Sequence, residues 1–354
     1  MRTLASIQTI LALNLIPNAD AIEVASVLGW KVVVKKGDFK VGDLCVYFEI
    51  DSFLPVRDEF EFLRNSCYRK MADGSEGFRI RTIKLRGQVS QGICMPLSIL
   101  ETAPPAGYKF DYMPNDMPVT EILGVKKWEP PVPAELQGLV KGTFPSFLQK
   151  SDETRVQVLQ DVLDRYRGVK FYTTEKLDGS SATFYHRNGE FGVCSRNIEL
   201  KETPENTFWR VARQIGLEEN MRTMGDFALQ GELFGEGIQK NRLGMIGQHL
   251  RFFNLFNINT FVYEDFHILK AYCAECDYLN MVPVIDDEFI MGNDITALVE
   301  YATRKSCLNP NAWMEGVVFR PLHEIVDMEF STKLPGGRIS FKVINPEYLL
   351  KHGE

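Results

Sequence analysis

Residues 173–181 read Thr173-Thr174-Glu175-Lys176-Leu177-Asp178-Gly179-Ser180-Ser181. A lysine amine attacks phosphorus only when it is deprotonated. Its ordinary pKa is about 10.4, so burial or a nearby cation must favour the neutral form. Asp178 offers a hard oxygen ligand for such a cation, and Gly179 lets the backbone approach a ligand closely. The stretch is therefore a candidate site of covalent catalysis, although these few residues alone are equally compatible with a solvated turn after a strand.

The composition indicates an intracellular globular protein. With 354 residues, of which 45% are hydrophobic, the chain is long enough for about two domains. Its net charge of −7 does not suit a protein that coats nucleic acid, so such a partner would need a local basic face. The seven cysteines have irregular spacing, which argues against a secreted disulfide framework. Since no window approaches the ~18 apolar residues of a transmembrane helix, we expect no membrane partner.

The first part of the chain, residues 1–115, has the pattern of a small β-barrel. Several short apolar runs are separated by glycine-rich turns, which is typical of the five-stranded OB-fold that binds nucleic acids. Residues 79–86 alternate polar and apolar side chains and are predicted to form one strand with a basic face. That face would track phosphates, or it would simply be the solvated side of an amphipathic strand. The candidate nucleic-acid contacts are Arg79, Arg81, Lys84 and Arg86.

The rest of the chain is predicted to form a linker and a second domain. Prolines interrupt residues 116–145, which we interpret as a semi-rigid linker. A helix is predicted to follow Asp152 or Thr154 and to run through Arg165. Residues 146–354 then alternate strands with a few helices. The predicted fold class is therefore α+β, with an N-terminal OB-fold barrel followed by a domain of antiparallel sheets and flanking helices.

Charged residues inside apolar strands define the candidate site. Glu232 and Glu315 interrupt strands that otherwise have a buried pattern, and carboxylates are almost never buried without a partner. Each acid alone would be compatible with a structural salt bridge. Together with Asp178 they suit a hydrated Mg²⁺ or Mn²⁺, while Lys176 and Lys342 suit a triphosphate.

These motifs, in this order, resemble the covalent lysyl-nucleotidyltransferases, which include polynucleotide ligases and mRNA capping enzymes. The matching segments are Glu175-Lys176-Leu177-Asp178-Gly179, Ser195-Arg196-Asn197, Gly231-Glu232-Leu233-Phe234-Gly235, Phe253-Asn254-Leu255-Phe256, Glu315-Gly316-Val317-Val318-Phe319-Arg320 and Ser340-Phe341-Lys342-Val343-Ile344. Only 12 residues follow Lys342, so we expect no second OB domain there. An OB-fold at the N-terminus is instead similar to the Naegleria and Deinococcus type of RNA ligase.

This resemblance implies an ATP-dependent RNA ligase, with nucleotidyl transfer at the second domain. Lys176 would be the nucleophile that becomes lysyl-AMP, and Lys342 would neutralise the α-phosphate. The acids Asp178, Glu232 and Glu315 would hold Mg²⁺ or Mn²⁺ through water. The implied contacts with ATP or AMP are Arg155, Glu175, Gly179, Arg196, Phe256, Val318 and Lys342.

The substrate implied by the resemblance is RNA, or a nicked duplex with RNA on the 3′-OH side, bound by a monomer. Two alternatives stay open: a DNA-joining ligase, and an RNA-binding protein whose transferase domain is inactive. The sequence departs from the family pattern at one position. Many relatives have a lysine where this chain has Ser340, so another cation would have to supply that phosphate contact.

Overall fold

The computed structural model describes residues 3–71, 73–102, 114–128, 138–276 and 278–353. Contacts between Cα atoms divide the chain into two compact units, Met1–Val132 with Leu349–Glu354, and Pro133–Tyr348. None of the helices in the described part of the chain combines the length and the apolar character that a membrane crossing requires.

The first unit is built mainly from short strands that pair antiparallel. Its β-strands form sheets with the orders β1-β5-β11, β2-β3-β4, β12-β6-β8-β7 and β10-β9. Large aromatic side chains, among them Trp30, Tyr47 and Phe78, are fully buried at its centre. The elements are β1 (Ala5–Thr9), β2 (Ala12–Leu15), β3 (Ile22–Val27), β4 (Trp30–Lys35), β5 (Leu44–Phe48), β6 (Ser52–Pro55), α1 (Arg64–Cys67), β7 (Tyr68–Lys70), β8 (Glu76–Arg79), β9 (Thr82–Leu85), β10 (Gln88–Gln91), β11 (Ile93–Met95) and β12 (Lys126–Lys127).

The prediction of a single strand over residues 79–86 was wrong. Strand β8 ends at Arg79 and β9 begins at Thr82, in a different sheet. The strict alternation fails at two consecutive polar residues, Arg81 and Thr82, and Thr82 is buried. Arg79 lies over the ring of Trp128 at 5.3 Å. Arg79, Arg81 and Lys84 therefore do not share one strand face as predicted, and the contact of the four basic side chains with nucleic acid stays a prediction.

The described parts of the predicted linker are folded. Asp116 donates its backbone N–H to Ile7, Val119 donates to Ala5, and β12 pairs with β6, all within the first unit. Residues 140–143 form a strand of the second unit. The division between units falls inside the predicted linker, while Pro130, Pro131 and Pro133, on which that prediction partly rests, lie outside the described residues.

The second unit contains two larger sheets. The seven-stranded sheet has the order β13-β18-β17-β16-β19-β20-β21, and the five-stranded sheet has the order β14-β24-β23-β15-β22. The elements are β13 (Val140–Thr143), β14 (Thr154–Arg155), α2 (Gln160–Arg165), β15 (Lys170–Lys176), β16 (Ser180–Arg187), β17 (Glu190–Cys194), β18 (Ile198–Leu200), α3 (Thr207–Gln214), α4 (Leu217–Arg222), β19 (Phe227–Gly235), β20 (Gln248–Asn257), β21 (Val262–Tyr263), α5 (Phe266–Glu275), β22 (Val284–Ile290), α6 (Ile295–Ala302), β23 (Gly316–Pro321), β24 (Phe341–Ile344) and α7 (Pro346–His352).

The predicted α+β class is confirmed, with a local difference in the segment after Asp152. The hairpin of β16 and β17 turns at Asn188-Gly189, where both residues have positive φ, as a two-residue hairpin turn requires. In contrast, the helix predicted from Asp152 or Thr154 begins only at Gln160. Thr154 and Arg155 instead pair with Phe341 and Lys342 of β24, in a parallel arrangement.

The segment that carries Lys176, Asp178 and Gly179 connects the two sheets of the second unit. Lys176 is the last residue of β15, in the five-stranded sheet, and Ser180 is the first residue of β16, in the seven-stranded sheet. The connection packs closely against β19: a Cβ atom on Gly179 would lie 2.3 Å from the carbonyl oxygen of Leu233. Glycine is therefore required where the chain passes from one sheet to the other.

We expect Gly179→Ala to destabilise the second unit by about 1–3 kcal/mol, because the added methyl group must displace backbone in a packed region. Gly142→Ala is the matched control, since a Cβ atom there would meet only the Glu199 carboxylate, at 3.9 Å. Urea unfolding of both variants measures the difference. Equal stability of the two variants would contradict the packing requirement.

Candidate active site

The Lys176 amine lies among carboxylates where the two sheets meet. Its Nζ donates a hydrogen bond to Oε2 of Glu315 at 2.7 Å. Burial lowers the pKa of Lys176, but the negative charges of Glu315, Glu232 and Asp178 more than offset this effect, so the pKa is raised overall. Without a bound cation, the amine is therefore protonated at neutral pH.

The strand pairing explains why the two glutamates reach this lysine. Glu315 directly precedes β23, whose Gly316 pairs with Lys176 across the five-stranded sheet. Glu232 lies on β19 and pairs with Ser181, just beyond the turn that carries Asp178. The structure thus brings together Lys176, Asp178, Glu232 and Glu315, which are far apart in the sequence.

Three carboxylates surround one lysine, and the pKa values of two of these acids are raised. Burial raises the pKa of Glu232 to about 8, and the charges of Glu315 and Asp178 add to this shift, while Lys176 opposes it. Burial likewise raises the pKa of Glu315. Such crowded carboxylates repel one another and favour binding of a divalent cation.

Asp178 has a further cationic neighbour that the sequence reasoning missed. Its Oδ2 atom is buried without a hydrogen-bond partner among the described residues, and it lies 3.5 Å from Nη1 of Arg242. Arg242 also donates a hydrogen bond to the Tyr348 hydroxyl at 2.5 Å. No motif marks Arg242, which lies in an irregular segment. The buried acceptor on Asp178 fits a role in holding a hydrated cation.

Glu175 points its carboxylate into a second, buried environment. Its Oε2 accepts a hydrogen bond from the backbone N–H of Cys307 at 2.8 Å, whereas Oε1 has no hydrogen-bond partner among the described residues. Burial raises the pKa of Glu175. A buried acceptor without a partner is costly unless a ligand supplies a donor, so Oε1 suits an exocyclic amine such as that of adenine.

The predicted aromatic contact with the base, Phe256, needs correction. Phe256 is only 1% exposed and packs in a separate cluster with Tyr185 and Ile258. Phe253 instead packs against the cluster that contains Leu177, next to the nucleophile. A register shift between β19 and β20 at Gln230/Gly231 changes which side chains of β20 face this region. The sequence does not reveal such a bulge, because both phenylalanines lie in one apolar run.

The predicted phosphate contacts occupy neighbouring strands of the five-stranded sheet. Lys342 pairs with Val318 on one side and with Arg155 on the other. Arg196 lies between β17 and β18, where it donates a hydrogen bond to Oδ1 of Asp152 at 2.5 Å, and its charge acts to lower the pKa of Glu232. Val318, Lys342 and Arg155 are thus brought side by side, while Arg196 stands on a half-exposed segment.

A buried arginine lies directly beside Ser340, the position at which the sequence indicates that another cation is needed. Arg320 Nε donates to Ser340 Oγ at 3.0 Å, and Nη2 donates to Glu153 Oε1 at 2.9 Å. Arg320 and Ser340 are each only 2% exposed, and Arg320 Nη1 is buried without a hydrogen-bond partner among the described residues. The signal that could have identified Arg320 is the one that identified the glutamates: a charge inside an apolar strand.

We expect Glu232→Gln to stabilise the protein at alkaline pH. The folded-state pKa of about 8 exceeds the ordinary value of 4.5, so the folded state binds this proton more tightly. Protonation of Glu232 therefore contributes to the free energy of unfolding below pH 4.5, and this contribution is lost as the pH rises through 8. Above that pH, the variant should unfold at a temperature about 2–4 °C higher, the shift for about 1 kcal/mol.

Thermal unfolding in metal-free buffer at about pH 5 and about pH 9 tests this expectation. The exposed residue Glu236 on the same segment provides the control variant, Glu236→Gln, which should show no gain at alkaline pH. If Glu232→Gln gains no more at the higher pH than at the lower pH, the raised pKa is wrong.

Comparisons with known proteins agree with this architecture. A family model described as an OB-fold domain matches residues 4–97, and one described as RNA ligase matches residues 169–344. A search of curated proteins finds no match.

Among solved structures, Naegleria gruberi RNA ligase with PPi is 36% identical, with a TM-score of 0.86 and coverage of 100% of this chain and 99% of that chain. Single-residue mutants of the same enzyme, one with ATP and Mn and one with AMP and Mn, are also 36% identical, with TM-scores of 0.86 and coverage of 99% of both chains. This similarity along the whole length shows that the chain belongs to the RNA ligase family, with an OB-fold domain ahead of its ligase domain.

Proposed function

We propose that this protein is an ATP-dependent RNA ligase that joins a 3′-OH end to a 5′-phosphate end through a lysyl-AMP intermediate. The observation that carries the proposal is the Lys176 amine, held 2.7 Å from Glu315 within a group of three carboxylates. The Naegleria gruberi enzyme was solved with ATP, AMP, PPi and Mn. These are the substrate, product groups and metal that adenylyl transfer to a lysine involves.

Asp178, Glu232 and Glu315 would hold Mg²⁺ or Mn²⁺, and the crowding of their charges fits that role. When bound, a divalent cation would neutralise the acids that raise the pKa of Lys176 and would offset charge on the α-phosphate. Without a bound cation, the carboxylates would therefore keep Lys176 protonated. The amine would become a nucleophile only when the charge of the carboxylates is compensated.

The chemistry proceeds in three steps. The neutral Lys176 amine attacks the α-phosphorus of ATP; an N–P bond forms, the bond to the β-phosphate oxygen breaks, and pyrophosphate leaves as the amine loses a proton. An oxygen of a 5′-phosphate end then attacks the same phosphorus, and the N–P bond breaks, so that AMP is transferred to that end. Finally a 3′-OH loses its proton and attacks the 5′-phosphorus; a phosphodiester bond forms, the bond from that phosphorus to the AMP phosphate breaks, and AMP leaves.

The neighbouring residues would position ATP for the first step. Lys342 and Arg155, adjacent on paired strands, would bind the phosphates and align pyrophosphate opposite the lysine. Glu175 Oε1 would accept a hydrogen bond from the adenine amino group. Phe253 and Val318 would contact the faces of the base, with Phe253 replacing the Phe256 of the sequence-based prediction.

Arg320 would supply the cation that Ser340 lacks. Its guanidinium occupies the place beside residue 340, on the strand that also carries Val318. The Nη1 donors that lack a hydrogen-bond partner would then serve a phosphate, directly or through water. Glu153 and Ser340 would hold the guanidinium in position.

The N-terminal OB-fold unit would bind the strand that carries the 3′-OH. RNA would be preferred there through its A-form shape and its 2′-OH groups, which DNA lacks. Arg79, Arg81, Lys84 and Arg86 remain the predicted phosphate contacts of this unit. The monomeric state and the intracellular location also stay predictions.

The central test is the covalent intermediate. With α-labelled ATP and Mg²⁺ or Mn²⁺, the wild-type protein should acquire an acid-labile AMP adduct, which Lys176→Ala should abolish because the attacking nitrogen is absent. Lys170→Ala is the matched control: Lys170 begins the same strand, is exposed, and pairs only loosely with Glu288 at 3.8 Å. Absence of an adduct with either metal would contradict the proposal and favour an RNA-binding protein with an inactive domain.

The RNA preference is tested with nicked duplexes that differ only in the sugar on the 3′-OH side. Sealing should be faster when that strand is RNA. Equal sealing of an all-DNA nick, with the adduct intact, would instead identify a DNA-joining ligase.

The role of Arg320 predicts that Arg320→Met slows adduct formation by about 10-fold or more, because a preorganised donor is lost. Since Arg320→Met also leaves Glu153 without its buried partner, Arg320→Met/Glu153→Gln removes that unpaired charge. The double variant should regain folding stability and still form the adduct slowly. A wild-type rate of adduct formation in the double variant would show that Arg320 acts only through structure.

A further inference from the structure

A cluster of metal-ligating side chains lies outside the ligase site, on the surface of the second unit. Asp265, His267 and His323 each offer one ligand atom, and these atoms all lie within 4.8 Å of one another. Asp265 immediately precedes α5, His267 lies in its first turn, and His323 follows β23. The chain has only five histidines, so two beside one carboxylate form a distinctive local arrangement.

The orientation of Asp265 is unusual for its position. An aspartate at a helix N-cap normally accepts hydrogen bonds from the second or third N–H of its own helix. The Asp265 side chain makes no such bond. Its Oδ2 lies 2.8 Å from Nδ1 of His323, and its Oδ1 accepts the backbone N–H of Glu324 at 2.6 Å. The carboxylate therefore faces the segment that follows β23, and it brings His323 towards His267.

We propose that Asp265, His267 and His323 form a site for a divalent transition-metal ion, such as Zn²⁺. Two imidazoles and one carboxylate suit zinc, cobalt or nickel, whereas Mg²⁺ prefers oxygen ligands alone. This site would therefore be chemically distinct from the carboxylate group around Lys176. Three protein ligands would leave at least one coordination position for water.

The geometry sets what binding requires. Bonds of about 2.0–2.1 Å to one zinc ion hold its ligand atoms at most about 4.2 Å apart, whereas the atoms of this cluster lie within 4.8 Å of one another. The rings of His267 and His323, whose centroids are 6.1 Å apart, are exposed and free to rotate to the spacing that binding requires. The N-terminus of α5 disfavours a cation, and the Asp265 carboxylate offsets that effect. We therefore expect weaker binding than at a structural zinc site buried in a protein core.

Metal binding would have a structural consequence beyond the three ligands. Glu324, next to His323, accepts hydrogen bonds from the buried Arg338 at 2.8 Å and 2.5 Å. Arg338 in turn lies 3.6 Å over the ring of Tyr263, which precedes Asp265 by two residues. A bound ion would link the start of α5 to His323 and Glu324, the segment whose carboxylate binds Arg338. It would also stabilise the folded state by mass action.

The experiment is a titration of the full-length, metal-depleted protein with Zn²⁺ by calorimetry, and with Co²⁺ by visible absorption. Saturating Mg²⁺ is present throughout to occupy the carboxylates around Lys176. We expect one Zn²⁺ to bind per chain, and we expect the visible absorption of bound Co²⁺ to indicate coordination by nitrogen atoms. The unfolding temperature should rise when the metal binds. His267→Ala and His323→Ala should each weaken binding by about 10-fold or more, as loss of a ligand does.

His249→Ala is the control, because His249 lies apart from the cluster with its Nε2 beside the carbonyl of Ile246. It should bind Zn²⁺ like the wild-type protein. Each variant is also tested for the AMP adduct on Lys176, which reports folding and ligase chemistry independently of this site. No binding to the wild-type protein, or wild-type affinity in both cluster variants with the adduct intact, would overturn the proposal.

Discussion

The crowding of three carboxylates around one lysine is the constraint on which the second unit depends. Asp178, Glu232 and Glu315 come from a turn, a strand of one sheet and the edge of a strand of the other. Burial, reinforced by repulsion from Glu315 and Asp178, raises the pKa of Glu232 and opposes folding at neutral and alkaline pH. Such a destabilising arrangement is tolerable only in a domain whose two sheets fix the positions of the acids independently of their charges.

The same crowding bears on the proposed reactivity. The carboxylates keep the Lys176 amine protonated, so the proposed nucleophile would be inactive until a cation compensated their charge. A triphosphate bound together with a divalent cation would supply both the substrate and the positive charge that offsets the carboxylates. The arrangement would therefore couple activation of the lysine to occupancy of the site, and it would allow a partly buried lysine with a raised pKa to act as the proposed nucleophile.

The site was predictable where it depended on residue chemistry. Glu232 and Glu315 were identified because a charge inside an apolar strand needs a partner, and the structure places both beside Lys176. Details that depend on strand pairing were not predictable. The bulge that brings Phe253 rather than Phe256 next to Leu177 is a property of register. The break between Arg79 and Thr82 arises because the two residues pair in different sheets.

Ser340 illustrates how one residue sets the requirements on its neighbours. Arg320 and Ser340 are cross-strand neighbours in buried surroundings, and the serine hydroxyl accepts a hydrogen bond that a lysine could not accept. A lysine at position 340 would place two cations beside the single carboxylate of Glu153, and one of them would stay uncompensated. The serine is therefore the residue that lets a buried arginine occupy this place. The positive charge at this end of the candidate phosphate site is carried by Arg320 of β23, and the residue that precedes β24 is neutral.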